Sequence, residues 1–175
     1  VDGIVWRTPE DKWQAISELN RRGYKPKPLD RFYIPKPGGG LRPLGIPTMK
    51  DRAMQTLYKL ALEPIAEVTA DFHSYGYRHS RCARDAIIRC ADILSDSPGF
   101  VWVLEADIKS CFDNISHQWV LEHVPMDRDA MRKFLTSGYV ENKKPYLVEK
   151  GIPQGGSISP IICNMVLDGL ENVLI

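Results

Sequence analysis

Residues 34–47 read IPKPGGGLRPLGIP, and this stretch decides the expected fold of the first third of the chain. Three glycines separate two short apolar segments, 31–34 and 41–46, that have the composition of β-strands. Because glycine permits the tight turn that joins antiparallel strands, the pattern predicts a β-hairpin. Lys36 and Arg42 flank the turn, so two long cationic side chains would lie where a triphosphate could bind. The alternative is a solvated hairpin tip with two surface charges.

Helical patterns surround the hairpin. Thr8 followed by Pro9 predicts a helix start, because threonine caps helices and proline suits the first turn. Thr48 predicts the start of a second helix, which Pro64 should kink or end. A third helix is expected over residues 80–94, where apolar residues recur at helical spacing.

A continuous apolar run at residues 100–104 predicts a strand buried on both faces of a sheet. Asp107 follows the run, and Glu105 would share its strand face. A carboxylate held at the end of a strand suits a hard divalent cation, so Asp107 is a candidate metal ligand. Taken alone, a residue such as Asp107 is more often an ordinary strand-end or cap residue than a metal ligand.

The second half of the chain continues with short elements. Ser116 and Asp127 predict the caps of two short helices, residues 145–152 predict a weak strand, and Ser159 begins a last helix. Gln154 lies in the turn-rich connection before that helix, where its amide could contact a ligand. Strands and helices mix without a regular βαβ alternation, which predicts an α+β fold.

Composition excludes several protein classes. With 43% hydrophobic residues the chain is not intrinsically disordered, and no stretch approaches the roughly 18 apolar residues of a membrane span. The four cysteines, at 82, 90, 111 and 163, form no Cys-x-x-Cys pair. They are expected to be packed hydrophobes in a reducing compartment. An intracellular location is expected.

The net charge of +1 hides an asymmetry. Between Arg21 and Lys59 the chain carries ten Lys and Arg against two Asp and Glu, a local charge of +8, and the remainder carries −7. The segment is therefore a candidate for binding a polyanion such as RNA. Its candidate contacts are Arg21, Arg22, Lys25 and Lys27.

Several stretches together, in this order, resemble the fingers and palm of a reverse transcriptase, most closely the kind encoded by group II introns. They are residues 1–3 with the following helix, residues 34–47, HSYGYR at 73–78, ADIKSCFDNI at 106–115, and residues 151–160 with Asn164. The resemblance implies an antiparallel sheet packed with helices. It also implies fingers at 1–98, a partial palm at 99–175, and fingers residues returning around 124–152.

The resemblance assigns roles near the reaction centre. Asp107 would be the first metal-binding aspartate, with the main-chain carbonyl of Ile108 beside it, in a site for two Mg²⁺ ions. Phe112 would lie under the sugar of the incoming nucleotide, where its bulk excludes a 2′-hydroxyl and so selects deoxynucleotides.

The resemblance also implies the contacts to the rest of the nucleotide. Lys36 and Arg42 would bind the triphosphate, with Arg31 joining them. Gln154 would contact the nucleotide near its sugar and the primer end.

The implied function is RNA-directed DNA polymerisation by a longer protein, which would use an RNA template, a DNA primer and dNTPs. It would also bind intron RNA and assist splicing. Its location would be the bacterial cytoplasm, with an organelle as the alternative. The alternatives are a splicing cofactor without polymerase activity, and a related reverse transcriptase of a retron, a diversity-generating element or a CRISPR-linked system. Val1 and the apolar end of the chain indicate a piece of a longer protein, whose exposed apolar surface could self-associate.

The 175 residues are predicted not to extend a primed RNA template with dNTPs and Mg²⁺. The chain contains Asp107 but lacks the Tyr-x-Asp-Asp turn that supplies the family's other two catalytic aspartates. One carboxylate cannot hold two divalent ions in register. A gel-based extension assay tests this, and robust extension would show that the site has been placed wrongly.

Overall fold

The computed structural model describes residues 2–96 and 102–174. The first range contains α1 (Pro9–Glu18), β1 (Leu29–Pro35), β2 (Leu41–Ile46), α2 (Met49–Thr69) and α3 (Ala83–Asp96). The second contains α4 (Cys111–Asn114), α5 (His117–His123), α6 (Arg128–Leu135), β3 (Tyr139–Glu141), β4 (Lys144–Tyr146), α7 (Ser159–Leu167) and α8 (Leu170–Leu174). No helix within these ranges combines the length and the apolar character needed to cross a bilayer.

The predicted hairpin is confirmed. Strands β1 and β2 pair antiparallel, with Ile34 opposite Arg42. The turn is closed by two hydrogen bonds: the amide of Lys36 donates to the carbonyl of Gly40, and the amide of Gly39 donates to the carbonyl of Lys36, both at 3.1 Å. Gly39 and Gly40 have φ angles of +87° and +81°, which residues with a side chain rarely adopt.

The α+β class is confirmed, and the sheet has the order β2-β1-β3-β4. β3 and β4 pair antiparallel, but β3 runs parallel to β1, with Leu29 opposite Tyr139. The expectation of an antiparallel sheet is therefore wrong for the pair β1 and β3, and it is confirmed for the other two pairs. β3 reaches the free edge of β1 through α6 and not through a tight turn, and such a crossover permits parallel pairing. The sheet thus joins strands from both halves of the chain, while the domain boundaries stay a prediction.

The main core lies between α2, α5, α6 and α7. It contains Leu62, Ala66, Ile115, Val120, Val124, Met131, Leu135, Ile152, Ile158, Ile161, Ile162 and Cys163. Of the two effects predicted for Pro64, a kink or the end of α2, the second is wrong, because this helix continues to Thr69. Leu62 and Ala66 flank the proline and are buried in the core shared with α7. Their burial offsets the one backbone hydrogen bond that proline cannot donate.

The predicted strand at 100–104 is wrong for the residues that the structure describes. Residues 100 and 101 lie outside the described ranges, and Trp102, Val103 and Leu104 form no strand. Their exposed fractions are 90%, 75% and 75%. The described sheet consists of β1 to β4 alone, so this segment has no neighbouring strand to bond with or to cover it.

Other element boundaries also differ from expectation. The third helix begins at Ala83, and the strand expected over 145–152 ends at Tyr146. The last helix breaks at Gly169, which has a φ of +86°. The amide of Gly169 donates to the carboxylate of Asp71 at 3.0 Å, a tertiary contact that the local sequence does not reveal.

The cysteines divide into two pairs. Cys163 is buried and Cys111 is half-buried, as expected of packed hydrophobes. The same expectation is wrong for Cys82 and Cys90, which are exposed. Cys90 lies on α3, where none of the described side chains is buried, so this helix offers no core position to a thiol.

Asp51 holds residues 24–27 against the start of α2. Its carboxylate is 3% exposed and accepts hydrogen bonds from the hydroxyl of Tyr24 at 2.5 Å and the hydroxyl of Thr48 at 2.6 Å. It also accepts from the backbone amide of Lys27 at 3.2 Å. The carboxylate, buried and fully hydrogen-bonded, therefore fixes residues 24–27 against the helix.

Asp51→Ala is expected to lower the free energy of unfolding by about 2–4 kcal/mol, because buried donors lose their acceptor. Chemical denaturation followed by circular dichroism measures this. Asp92→Ala, which removes an exposed carboxylate on α3, is the matched control and should change stability by less than about 0.5 kcal/mol. Equal effects of the two substitutions would contradict the anchoring role.

Candidate functional site

A cavity of about 590 Å³ lies between the hairpin, the residues around α4 and the start of α7. Among the residues that line it are six of the seven predicted to bind the nucleotide or a metal: Lys36, Arg42, Asp107, Ile108, Phe112 and Gln154. These residues come from three separate parts of the sequence: the hairpin, residues 107–112 and the segment around Gln154. The fold therefore gathers them, as a single binding site requires.

The cavity has charges of opposite sign on different walls. Lys36 and Arg42 extend from the two sides of the hairpin turn, and both side chains are exposed. Asp107 and Asp113, also exposed, contribute carboxylates from the segment that includes α4. This arrangement suits an anionic ligand accompanied by a cation, because each partner would meet the opposite charge.

Phe112 is held at the cavity by the geometry of α4. Ser110 precedes the helix in the left-handed conformation, with φ of +52°, and its carbonyl accepts from the amide of Asp113 at 3.1 Å. The carbonyl of Phe112 accepts from the amide of Ile152 at 2.8 Å. Its ring is half-buried and packs against the main core, so one side of the ring is supported while the residue lines the cavity.

The connecting loop, residues 151–157, forms the floor beside Phe112. The amide of Gly151 donates to the carbonyl of Ile115 at 2.8 Å, and its carbonyl accepts from Nε2 of His117 at 2.7 Å. A carbonyl can only accept, so His117 must carry its proton on Nε2. The ring of His117 is half-buried and orders this loop, a role that the sequence did not predict.

The other end of the connecting loop is bonded to the hairpin and to α2. The carbonyl of Gln154 accepts from the amide of Gly45 at 2.7 Å. The amide of Ser157 donates to Oε1 of Gln55 at 2.8 Å, and Gln55 is only 4% exposed. Gln154 thus lines the cavity on a backbone that is hydrogen-bonded to β2.

Gly155 is required by a close approach of two backbone segments. Its φ is +118°, and a Cβ atom at this position would lie 2.6 Å from the carbonyl oxygen of Gly45. Any side chain would therefore force the connecting loop away from the hairpin.

Tyr77 lines the cavity, although the sequence assigned it no role. It has a φ of +56° and is 73% exposed. Arg78 fixes the chain beside it by donating to the carbonyl of Asp71 at 2.9 Å and to the carboxylate of Glu67 at 2.7 Å. The hydrogen bond from Arg78 also holds the pKa of Glu67 below its ordinary value. The signal was present, since Tyr77 lies in the HSYGYR stretch that carries the family resemblance.

Arg31 is the one predicted nucleotide contact that the structure does not bring to this cavity. Its guanidinium lies 3.8 Å from the centre of the Tyr139 ring, and it lines a neighbouring cavity of about 120 Å³. The Nε atom of Arg31 is buried without a hydrogen-bond partner. The stacking on β3 explains the difference, because β3 pairs with β1 beside Arg31.

The four predicted RNA contacts lie outside the cavity. Arg21, Arg22, Lys25 and Lys27 are all exposed. The guanidinium of Arg21 is 3.8 Å from the carboxylate of Asp127, a solvent-exposed pair that contributes little stability.

The oxygen atoms at the cavity are of the type that binds divalent metal ions, but they are too few for a complete site. Asp107, Asp113 and the carbonyl of Ile108 offer the hard ligands that such ions prefer. Within residues 2–96 and 102–174, however, no three His, Cys, Asp or Glu residues are close enough together to hold an ion. The described residues alone therefore do not form a complete metal site.

Comparison with known proteins identifies the relatives of the chain. The family model described as "Reverse transcriptase (RNA-dependent DNA polymerase)" matches residues 34–175. The group II intron-encoded protein LtrA of Lactococcus lactis subsp. cremoris is 34% identical over 174 residues, which cover 95% of this chain and 28% of that protein.

Two further relatives extend the comparison. Protein YkfC of Escherichia coli K12 is 37% identical over 168 residues, covering 90% of this chain and 43% of that protein. The putative COX1/OXI3 intron 1 protein of Saccharomyces cerevisiae is 34% identical over 168 residues, which cover 90% of this chain and 19% of that protein. The chain thus spans less than half the length of each of these three relatives.

Gly155→Ala is expected to lower the free energy of unfolding by about 2 kcal/mol or more, because the new methyl group meets backbone and the φ is unfavourable for alanine. Thermal or chemical denaturation measures the change. Gly38→Ala is the matched control, since its Cβ would meet no atom within 4 Å and its φ is not in the positive range. If both variants were equally stable, the close contact between loop and hairpin would be disproved.

Proposed function

The chain belongs to the reverse transcriptase family, and on that premise we propose that its central cavity binds a deoxynucleoside triphosphate within a group II intron-encoded RNA-directed DNA polymerase. The observation that carries the proposal is the convergence of Lys36, Arg42, Phe112 and Gln154 around one cavity. Lys36 and Arg42 lie on the hairpin and Phe112 lies on α4, and the connecting loop, which contains Gln154, is hydrogen-bonded to both.

The hairpin would hold the triphosphate. A triphosphate carries several negative charges, and Lys36 and Arg42 are the cations at the cavity wall formed by the hairpin. The hydrogen bonds of the glycine turn fix the spacing of the two residues along the backbone. If the triphosphate binds to the hairpin, the sugar and base would lie on the side of the cavity that contains Phe112.

Phe112 would select the sugar. Its backbone carbonyl is bonded to Ile152 and its ring packs against the core, so the ring cannot retreat easily from a ligand. A rigid aromatic surface under the sugar leaves no space for a 2′-hydroxyl and therefore favours deoxynucleotides. Gln154, on the floor, would contact the nucleotide on its sugar side, and Tyr77 would cover the outer rim of the site.

Reverse transcriptases use divalent metal ions, and we propose Mg²⁺ as the ion in this family member. When bound, such ions stabilise the charge that develops as the primer oxygen attacks and pyrophosphate leaves. Asp107 would supply one carboxylate ligand and Ile108 its carbonyl, and water molecules and the phosphates of the nucleotide would supply others.

Arg42→Ala is expected to weaken dNTP binding by the 175-residue chain at least about tenfold, the loss of one charge-assisted phosphate contact of 1.4 kcal/mol or more. Titration of a fluorescent dNTP analogue followed by anisotropy gives the dissociation constants. Arg22→Ala removes the same exposed charge away from the cavity and should leave the affinity within about twofold. Equal losses in the two variants would indicate binding by general charge.

The basic segment supports a second part of the proposal, the binding of intron RNA. Tyr24 and the backbone of Lys27 are fixed by Asp51, while the side chains of Arg22, Lys25 and Lys27 are exposed. The segment therefore presents cations on an ordered backbone, which would contact phosphates without reading bases. A splicing cofactor without polymerase activity would retain this surface and would not bind dNTPs in the cavity, so the two functions are distinguishable.

Charge reversal of Arg21, Arg22, Lys25 and Lys27 to Glu is expected to abolish measurable binding of structured RNA at low salt. The native chain should bind with an affinity that falls steeply as salt rises, because phosphate contacts release counterions. Filter binding across a salt series tests both statements. Arg84→Glu with Arg89→Glu, two exposed reversals on α3, is the control and should retain most of the affinity. Absence of RNA binding by the native chain at low salt would contradict the proposal.

A further inference from the structure

Two cysteine side chains meet where the 590 Å³ cavity adjoins the main core. Cys111 begins α4 next to Phe112, and Cys163 lies in the middle of α7. Their Sγ atoms are 3.8 Å apart, although the residues are 52 positions apart in the sequence. The proposed nucleotide binding uses neither thiol.

The two thiols differ in access. Cys163 is 5% exposed and belongs to the main core, whereas Cys111 is half-buried and lines the 590 Å³ cavity. Cys111 also lines an open groove on its other side, formed with residues of α5 and α7 such as Trp119 and Val166. A small reagent can therefore reach Cys111 from solvent, whereas Cys163 is buried behind the protein surface.

We propose that Cys111 and Cys163 form a redox modification site that reacts with small disulfides of the glutathione type and closes to an intramolecular disulfide. In the first step the Cys111 thiolate attacks one sulfur of the small disulfide, whose S–S bond breaks and releases one thiol. In the second step Cys163 loses its proton and attacks Sγ of Cys111, which releases the second small thiol. Two protein thiols are thus oxidised, and one small disulfide is reduced to two thiols.

The environment of Cys163 makes the second step the slower one. Burial raises the pKa of its thiol to about 12, with a further contribution from the neighbouring Cys111. A thiol with a raised pKa is rarely ionised, but its position beside Cys111 gives it a high local concentration that no external thiol matches.

Closure of the disulfide would move the cavity wall. A disulfide bond is about 2.05 Å long, so the sulfur atoms must approach by about 1.8 Å. Cys163 lies within a packed nine-residue helix, whereas Cys111 begins a helix of four residues that follows the left-handed Ser110. Cys111 is therefore the side that shifts, and Phe112 shifts with it.

The test is to incubate the native chain with glutathione disulfide, alkylate the remaining thiols and map the cysteines by mass spectrometry after proteolysis. The expected result is a cross-linked pair of peptides containing Cys111 and Cys163, two hydrogens lighter than the reduced pair. The exposed Cys82 and Cys90 should carry glutathione and serve as internal controls for the reagent. If these two are modified while Cys111 and Cys163 remain unlinked, the proposal is overturned.

Two variants distinguish disulfide formation between Cys111 and Cys163 from random thiol–disulfide exchange. Cys163→Ser should stop Cys111 at the glutathione adduct, and the double variant Cys82→Ser with Cys90→Ser should retain the full link between Cys111 and Cys163. Denaturation of the chain in urea before oxidation should reduce the yield of this link several-fold relative to other pairings. Equal yields in the native and the unfolded chain, or loss of the link in the double variant, would also overturn the proposal. None of these readouts requires nucleotide binding.

Discussion

The connecting loop, residues 151–157, is hydrogen-bonded to three separate parts of the chain, and the candidate site depends on these bonds. At one end its amides donate to the carbonyls of Phe112 and Ile115. At the other end it bonds to Gly45 on β2 and to the buried Gln55 on α2. Backbone groups this close to a core must find partners, and here the partners belong to the elements that surround the cavity.

The charges of the cavity follow from this arrangement. The hairpin is held against the loop by one hydrogen bond and by the close contact at Gly155, which leaves its cationic turn extended over the cavity. The carboxylates of Asp107 and Asp113 come from the other side, around α4. A ligand with a polyanionic tail and an associated cation would thus find complementary groups without large movement of the backbone. The predicted RNA contacts at 21–27 lie outside the cavity, and the buried carboxylate of Asp51 holds this part of the backbone through Tyr24 and Lys27.

The sequence predicted those elements whose signals are local. Threonine caps at Thr8 and Thr48 and the glycine turn of the hairpin were readable because each acts over a few residues. The site residues were found through the family resemblance, and six of the seven line one cavity. Their individual roles stay predictions. The failures share a cause: Arg31 stacks on a strand more than a hundred residues away, and Trp102 lies in an apolar run that has no partner strand in the described sheet. Such tertiary contacts decide burial, and local patterns do not contain them.

The central claim is that the cavity between the hairpin and Phe112 is a site for a deoxynucleoside triphosphate. A crystal structure of the chain with a bound dNTP tests it most directly. The account predicts electron density for the triphosphate against Lys36 and Arg42, with the sugar resting on the ring of Phe112. A nucleotide bound with high occupancy elsewhere on the chain, while this cavity stays empty, would contradict it.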